Sequence, residues 1–411
     1  MYKTQYRTML AFVLILTLTI LAACSSESNE IIIIQNGVVF TATGEEPISD
    51  GVVVIENEKI IAVGPESEIQ LPSGAKEVDA QGGFIMPGLI DARASTLLNE
   101  IDIQEGQINE IQVTLFFTRT IEAGITTLRA VGWDLKTRPD LSELNDALAM
   151  HGNNIPTLII AGSITHAEGN VFEIYPEDSM GVFNIEEAQQ AAEDIIQSGA
   201  DQIAFLQPIP PDRRSIDNPL VGLSFEQQTA IVEAGHEQGL KVIAQTSFPE
   251  DALDAINAGV NELIGWPHGS EDPLSDELIQ ALVENSVPVL TGFSVGVIRP
   301  YEGDVRRLID AGGVIVFGTF APNSGSLANP VNEMKLMAQV GGMTPSEILT
   351  SATANAAEAI GLGNEVGSLE TGKTADIVII QGNPLEDIND ITNIYMVLKA
   401  GEVVFQADIQ E

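Results

Sequence analysis

IEEAQQAAEDIIQSGADQIAFL, residues 185–206, decides how this chain folds, because a helical segment (185–199) runs into a short apolar strand (202–206). The same alternation recurs on both sides. One apolar strand ends near Asp91, and others lie at GITTLRAV (124–131), TLIIAGSI (157–164), QIAFL (202–206), KVIAQT (241–246), NELIG (261–265), VPVLTG (287–292) and GVIVFGT (313–319), eight in all. Helical segments fall between them, as in SFEQQTAIVEAGHEQG (224–239) and PEDALDAINAG (249–259). Strands alternating with helices predict a parallel sheet, and eight such units predict an α/β fold with a (β/α)8 TIM-like barrel. Any active site then lies at the C-terminal ends of those strands. No internal repeat or low-complexity tract interrupts the pattern.

At 411 residues the chain can bury a large core and hold one barrel plus a small second domain. It carries 59 acidic and 18 basic residues, a net charge of -41. Nucleic acid is excluded as a partner, since neutralising phosphates needs a basic face that so few Lys and Arg cannot assemble. A solvated, salt-tolerant surface is the simplest meaning of the acidity.

The first residues read as a targeting segment rather than as part of the fold. Lys3 and Arg7 give a short positive region, Met9 to Leu21 an apolar run, and Leu21, Ala22, Ala23, Cys24 a lipobox that resembles bacterial lipoprotein signals. Residues 1–23 are then a signal peptide, Cys24 the lipidated first residue of the mature chain, and 24–30 a polar tether. The expected location is the cell envelope, lipid-anchored and facing periplasm or exterior, with membrane contact through the anchor only. Cys24 is the sole cysteine, so disulfides within the chain and thiolate metal sites are both excluded.

Three stretches carry a family resemblance. PGLIDARAS (87–95) leads into the first barrel strand. NGVVFTATGEEPISDGVVVIENEKIIAVGPES (36–67) reads as short strands split by Gly, Asn and Pro turns. ATANAAEAIGLGNEVGSLETGKTADIVIIQGNPLEDI (352–388) and VLKAGEVVF (397–405) follow the barrel. Together they resemble the amidohydrolase superfamily, in its imidazolonepropionase-like and prolidase-like branch, over nearly all of the chain after about residue 30. The resemblance implies a composite β-sandwich domain from both chain ends, 31–86 and 366–411, around a barrel spanning 87–365.

It also implies a metal-assisted hydrolase site, which needs ligands for one or two cations and a carboxylate to take a proton from the metal-bound water. Here the sequence departs from the family. Histidines of relatives at the end of strand 1 correspond to Arg93 and Ser95, and the bridging lysine of strand 4 to Ala204. The strand 5 histidine corresponds to Gln245, the strand 6 histidine to Gly265, and the strand 8 aspartate of Gly-Thr-Asp to Phe320. His268, three residues after Gly265, is the candidate should the register of strand 6 be shifted. Guanidinium cannot ligate a divalent cation, and an aromatic ring cannot accept a proton from water. No metal and no other cofactor is therefore expected.

Of the remaining histidines, His166 follows strand 3 and is a pocket candidate, whereas His151 and His236 read as surface residues. Arg93 and Arg129 are expected at the mouths of strands 1 and 2, balanced by a carboxylate such as Glu168 or Asp134 or holding an anionic ligand. Two function classes follow. One is a non-catalytic barrel that binds a small anionic or amide ligand, or partners an active relative or another copy of itself. The other is a hydrolase of non-peptide C–N bonds with rearranged chemistry. No nucleophile elbow or Ser-His-Asp order supports a covalent alternative.

Overall fold

The computed structural model describes residues 30–94, 103–104, 107–108, 110–133, 148–169, 179–208, 221–267, 273–295, 300–320 and 330–408. The targeting segment, Cys24, Ser95, Asp134 and His268 lie outside the described residues. No helix among the described residues is long and apolar enough to cross a membrane.

Eight parallel strands form the barrel sheet. They are Leu89–Ala94, Ile125–Trp133, Thr157–His166, Gln202–Leu206, Lys241–Gln245, Glu262–Ile264, Val289–Leu290 and Ile315–Val316, each paired with the next. All eight strands expected from the sequence are present, and we number them 1 to 8 in that order. Local signals set the helices between them. The helix Ile185–Gln197 starts where the Asn184 side chain accepts the Glu187 N–H, and Phe225–Glu237 starts on a capping box between Ser224 and Gln227. Pro249 opens Pro249–Ala258, and Gly259 ends it at φ +98°, a left-handed conformation that suits glycine.

Strand 8 returns to strand 1 through a few strong contacts rather than a ladder. The Ala92 N–H reaches the Phe317 carbonyl at 3.2 Å and the Phe320 N–H reaches the Arg93 carbonyl at 2.8 Å. Between them lies the fully buried Asp91 carboxylate, which accepts the Thr319 hydroxyl at 2.6 Å, the Thr319 N–H at 3.0 Å and the Arg93 N–H at 3.1 Å. Burial raises the Asp91 pKa, and the Thr319 and Arg93 contacts pull it back down. Three donors are what a buried carboxylate needs to remain in place.

Both chain ends meet in a second, eight-stranded sheet. Ile377–Ile380 pairs antiparallel with Phe84–Pro87, and Ile394–Lys399 and Glu402–Gln406 extend that side. On the other side Ile31–Val39 carries Ile48–Glu56 and Lys59–Pro65. Ile31–Val39 shifts register after Ile34, so its first half also pairs with Lys76–Asp79 and its end with Phe84–Pro87. Alternation in GVVVIE buries both faces, with Val52 and Val54 in one apolar cluster and Val53 and Ile55 in another.

In the helix that follows strand 5, Asp251 is half-buried, and burial together with the carboxylates of Asp254 and Glu250 pushes its own carboxyl up from 3.8 to about 6. A raised carboxyl pKa means that the folded state holds the proton more tightly, so this group costs stability as pH rises from about 4 through 6. Asp251→Asn should therefore raise stability at pH 7.5 by about 1 kcal/mol, discounted for solvent screening, and leave it unchanged near pH 4. Denaturant melts of both forms at the two pH values check this, and an equal effect at both would contradict it.

Candidate functional site

Arg93 closes strand 1 and is only 8% exposed, so its guanidinium lies in the mouth of the barrel rather than in solvent. It donates from Nη1 to the Val131 carbonyl at 2.9 Å and from Nη2 to the Gln245 Oε1 at 3.2 Å. These acceptors stand on strands 2 and 5, and the guanidinium spans the space between them. Phe320 covers it, with the ring centroid 5.0 Å from Cζ. Arg93, Gln245 and Phe320, singled out separately in the sequence, are thus one constellation.

Phe320 is held in an unusual way. Its φ of +50° is in the left-handed region, which bulky residues rarely adopt and Asp and Asn tolerate better. The ring packs on Gly292, whose absent Cβ would stand 2.4 Å from the Phe320 Cδ2. The backbone at this position therefore suits an acidic residue, while the side chain is a wedge over Arg93.

Arg129 corrects the sequence reading. Its side chain is fully buried at the opposite end of the barrel, and its ion-pair partner is Glu262 rather than Glu168. Nη1 and Nη2 form a bidentate pair with the Glu262 carboxylate at 2.7 and 2.6 Å, Nε donates to the Ala92 carbonyl at 2.6 Å, and Nη1 also reaches Gln202 Oε1 at 3.2 Å. Glu262 and Gln202 are the first residues of strands 6 and 4, which puts the cluster at the strands' N-terminal ends. It is a fully satisfied buried ion pair, remote from the mouth.

The other candidates separate in the same manner. Ala204 is fully buried in the barrel interior among Ala92, Ala161 and Ile243. Gly265 follows strand 6 at φ +85°, a turn that a side chain would strain. His166 faces the rim: its Nδ1 accepts the Glu168 N–H at 3.2 Å and its ring meets Phe183 edge-on at 6.2 Å. His236 bonds Asn261 at 3.0 Å on the outer face.

A divalent cation, which the resemblance implies, does not fit the donors found at the mouth. A guanidinium lies there, and the nearby Asp91 carboxylate is engaged by Thr319 and the Arg93 N–H. Among the described residues no group of three or more His, Cys, Asp or Glu could hold a metal ion.

Sequence reasoning missed Glu262, Glu333 and Ser163. Glu262 had a signal, an acid opening an apolar strand of a barrel that also holds Arg129. Glu333 opens the helix Val331–Gln339 and accepts the N–H groups of Gly292, Phe293 and Ser294 at 2.9, 2.9 and 2.8 Å, tying down the turn that follows strand 7. Burial raises its pKa and those three donors lower it. Ser163 lies within strand 3 and had no signal beyond its polarity.

Arg129→Met alone should cost about 3–5 kcal/mol, because it strands the Glu262 charge. The double variant Arg129→Met, Glu262→Met should recover most of that loss, since an apolar pair of similar volume removes both desolvation penalties. Chemical denaturation of the single and double variants reads this, and a double variant no more stable than the single one contradicts the pairing.

Comparison with known proteins agrees with this architecture. Residues 223–404 match the model of the amidohydrolase family. The chain is 25% identical to an imidazolonepropionase of Geobacillus kaustophilus (strain HTA426) over 87% of this chain and 90% of that one. It is 28% identical to a probable imidazolonepropionase of Nematostella vectensis over 88% and 91%. Among solved structures it is similar to a Xaa-Pro dipeptidase with bound methionine, with a TM-score of 0.76 at 22% identity, covering 92% of this chain and all of the other. The A. niger ochratoxinase gives a TM-score of 0.76 at 22% identity, covering 92% and 96%. With a barrel of eight parallel strands, a sheet shared by both chain ends and a model match over 223–404, the chain is similar to proteins of the amidohydrolase family.

Proposed function

We propose that this chain is a non-catalytic member of the superfamily, a lipid-anchored envelope protein whose barrel mouth binds a small molecule instead of hydrolysing one. The observation that carries the reading is the Arg93 guanidinium, fixed between Val131 and Gln245 beneath Phe320. A fixed positive charge at the mouth repels a divalent cation, and no carboxylate stands at Phe320 to take a proton from water. Binding as a partner subunit of an active relative belongs to the same class. Anchoring rests on the lipobox ending at Cys24.

The competing reading is an active C–N hydrolase with rearranged chemistry. It is favoured by similarity to imidazolonepropionases over nearly nine tenths of the chain.

Two measurements separate the readings. Mature protein purified without chelator should contain well under one zinc, manganese or iron per chain and should cleave neither imidazolonepropionate nor Xaa-Pro dipeptides. Near-stoichiometric metal, or turnover that a chelator abolishes, would favour the hydrolase. Arg93→His with Ser95→His should still show no metal-dependent hydrolysis, because Ala204 and Phe320 deny the bridge and the base.

For the anchor, Cys24→Ser should yield an unprocessed or soluble product in cell fractionation. Membrane retention of that variant after a high-salt wash would place the attachment elsewhere.

A further inference from the structure

We propose that the end of the second sheet from which the tether leaves rests on the phosphate headgroups of a lipid bilayer through Lys59 and Lys76, which turns the barrel mouth away from the membrane. The proposal rests on anchoring through Cys24, and it adds which face meets the lipid.

Contacts of the second sheet place it at the N-terminal ends of the barrel strands. Gly88, just before strand 1, donates its N–H to the Asp376 carbonyl at 2.9 Å, and the Leu89 N–H reaches the carbonyl of Gly124, just before strand 2, at 2.9 Å. A Cβ on Gly124 would stand 3.1 Å from the Ile394 Cδ1. Asn153, shortly before strand 3, donates to the Glu402 carboxylate at 3.1 Å. Glu30, where the tether ends, is tied to the same side of the molecule. Its carbonyl accepts the Asn57 N–H at 2.9 Å, the Glu58 carbonyl accepts the Ala375 N–H at 2.8 Å, and Ala375 adjoins Asp376. Three hydrogen-bonded pairs and two peptide steps thus connect Glu30 to Gly88, a path of at most about 25 Å.

The tether is short, since the six peptide steps from Cys24 to Glu30 reach at most about 20 Å. Strand 1, Leu89–Ala94, itself spans about 20 Å toward the mouth. With the mouth against the bilayer the tether would have to be stretched along that whole length, at an entropic cost that the opposite orientation avoids.

Charge divides the two ends in the same sense. Lys59, Lys76, Lys373 and Lys399, four of the seven lysines after Cys24, lie in the strands and turns around Glu30 and Ala375. Lys373 and Lys399 are paired with Glu370 and Asp376, while Lys59 and Lys76 are exposed. Lys59 donates to the Thr374 hydroxyl at 2.9 Å, and Lys76 stands 4.0 Å from Glu30, beside the tether. Exposed Glu58 and Glu77 give this end a mixed charge. At the mouth end the barrel helices begin, and acids fill their first turns: Glu186 and Glu187, Glu226, Glu250, Asp276 and Glu277 are all exposed. Anionic headgroups repel that acidic rim, so the lysine-bearing end meets them at the lower electrostatic cost.

Energy transfer on vesicles tests the orientation. The processed, lipidated chain is reconstituted in vesicles of phosphatidylethanolamine and phosphatidylglycerol that carry a headgroup-linked acceptor. Lipidation occupies the thiol of Cys24, the sole cysteine, so a single introduced cysteine takes the donor dye, at Glu58→Cys beside the tether or at Glu186→Cys on the rim. Transfer from position 58 should exceed that from position 186 about threefold or more, because about 20 Å of strand separates the two ends. Adding Lys59→Glu and Lys76→Glu should lower transfer from position 58 by about half while the chain still sediments with the vesicles. Equal transfer from the two positions, or more from 186, on vesicle-bound protein overturns the orientation and leaves the anchor intact. Unchanged transfer in the lysine variant overturns the headgroup contact. A chain that fails to sediment with vesicles refutes anchoring itself, and the orientation with it.

Discussion

Asp91 is the constraint on which the upper half of this molecule depends. Strands 8 and 1 share no continuous ladder, and the gap is closed by two backbone bonds and, between them, one buried carboxylate that takes two bonds from Thr319 and one from the Arg93 backbone. Closure by a side chain and two isolated backbone bonds has a geometric result. It sets Arg93 and Phe320 beside one another, with the Phe320 N–H on the Arg93 carbonyl. The wedge over the guanidinium follows from how the barrel is closed.

The barrel interior is layered by charge. At the N-terminal end Arg129 and Glu262 neutralise each other in full burial, with Gln202 as a neutral third partner. Aliphatic residues such as Ile243, Ile264, Leu290 and Val316 fill the middle. At the C-terminal end Arg93 bonds a carbonyl and an amide oxygen. In a chain of net charge -41 these two arginines occupy interior positions, and they do different work. The first holds strand 2 to strand 6, while the second ties strand 1 to strands 2 and 5 at the mouth.

Backbone conformation distinguishes two of the positions singled out in the sequence. Gly265 and Phe320 both have left-handed backbone, but glycine adopts it freely and phenylalanine does not. At Phe320 the chain keeps a conformation better suited to Asp while the side chain supplies volume. Gly292 opposite has no Cβ, and that absence makes space for the ring.

Strand and helix order were legible in the sequence because apolar runs of strand length, split by helical segments, have one common solution, the parallel barrel. The residue types at positions 93, 204, 245, 265 and 320 were legible too, but not that Ala204 lies in the middle of strand 4 rather than at its end. The placement of the two arginines was not. Both close or occupy apolar strands, and a linear pattern says that a side chain faces inward without saying toward which end of the barrel a long side chain reaches. That direction depends on where the compensating oxygens lie, and Glu262 is separated from Arg129 by 133 residues. Ser163 shows the same limit: its polarity is written in the sequence, but its solitude inside the barrel arises only when eight strands close around it.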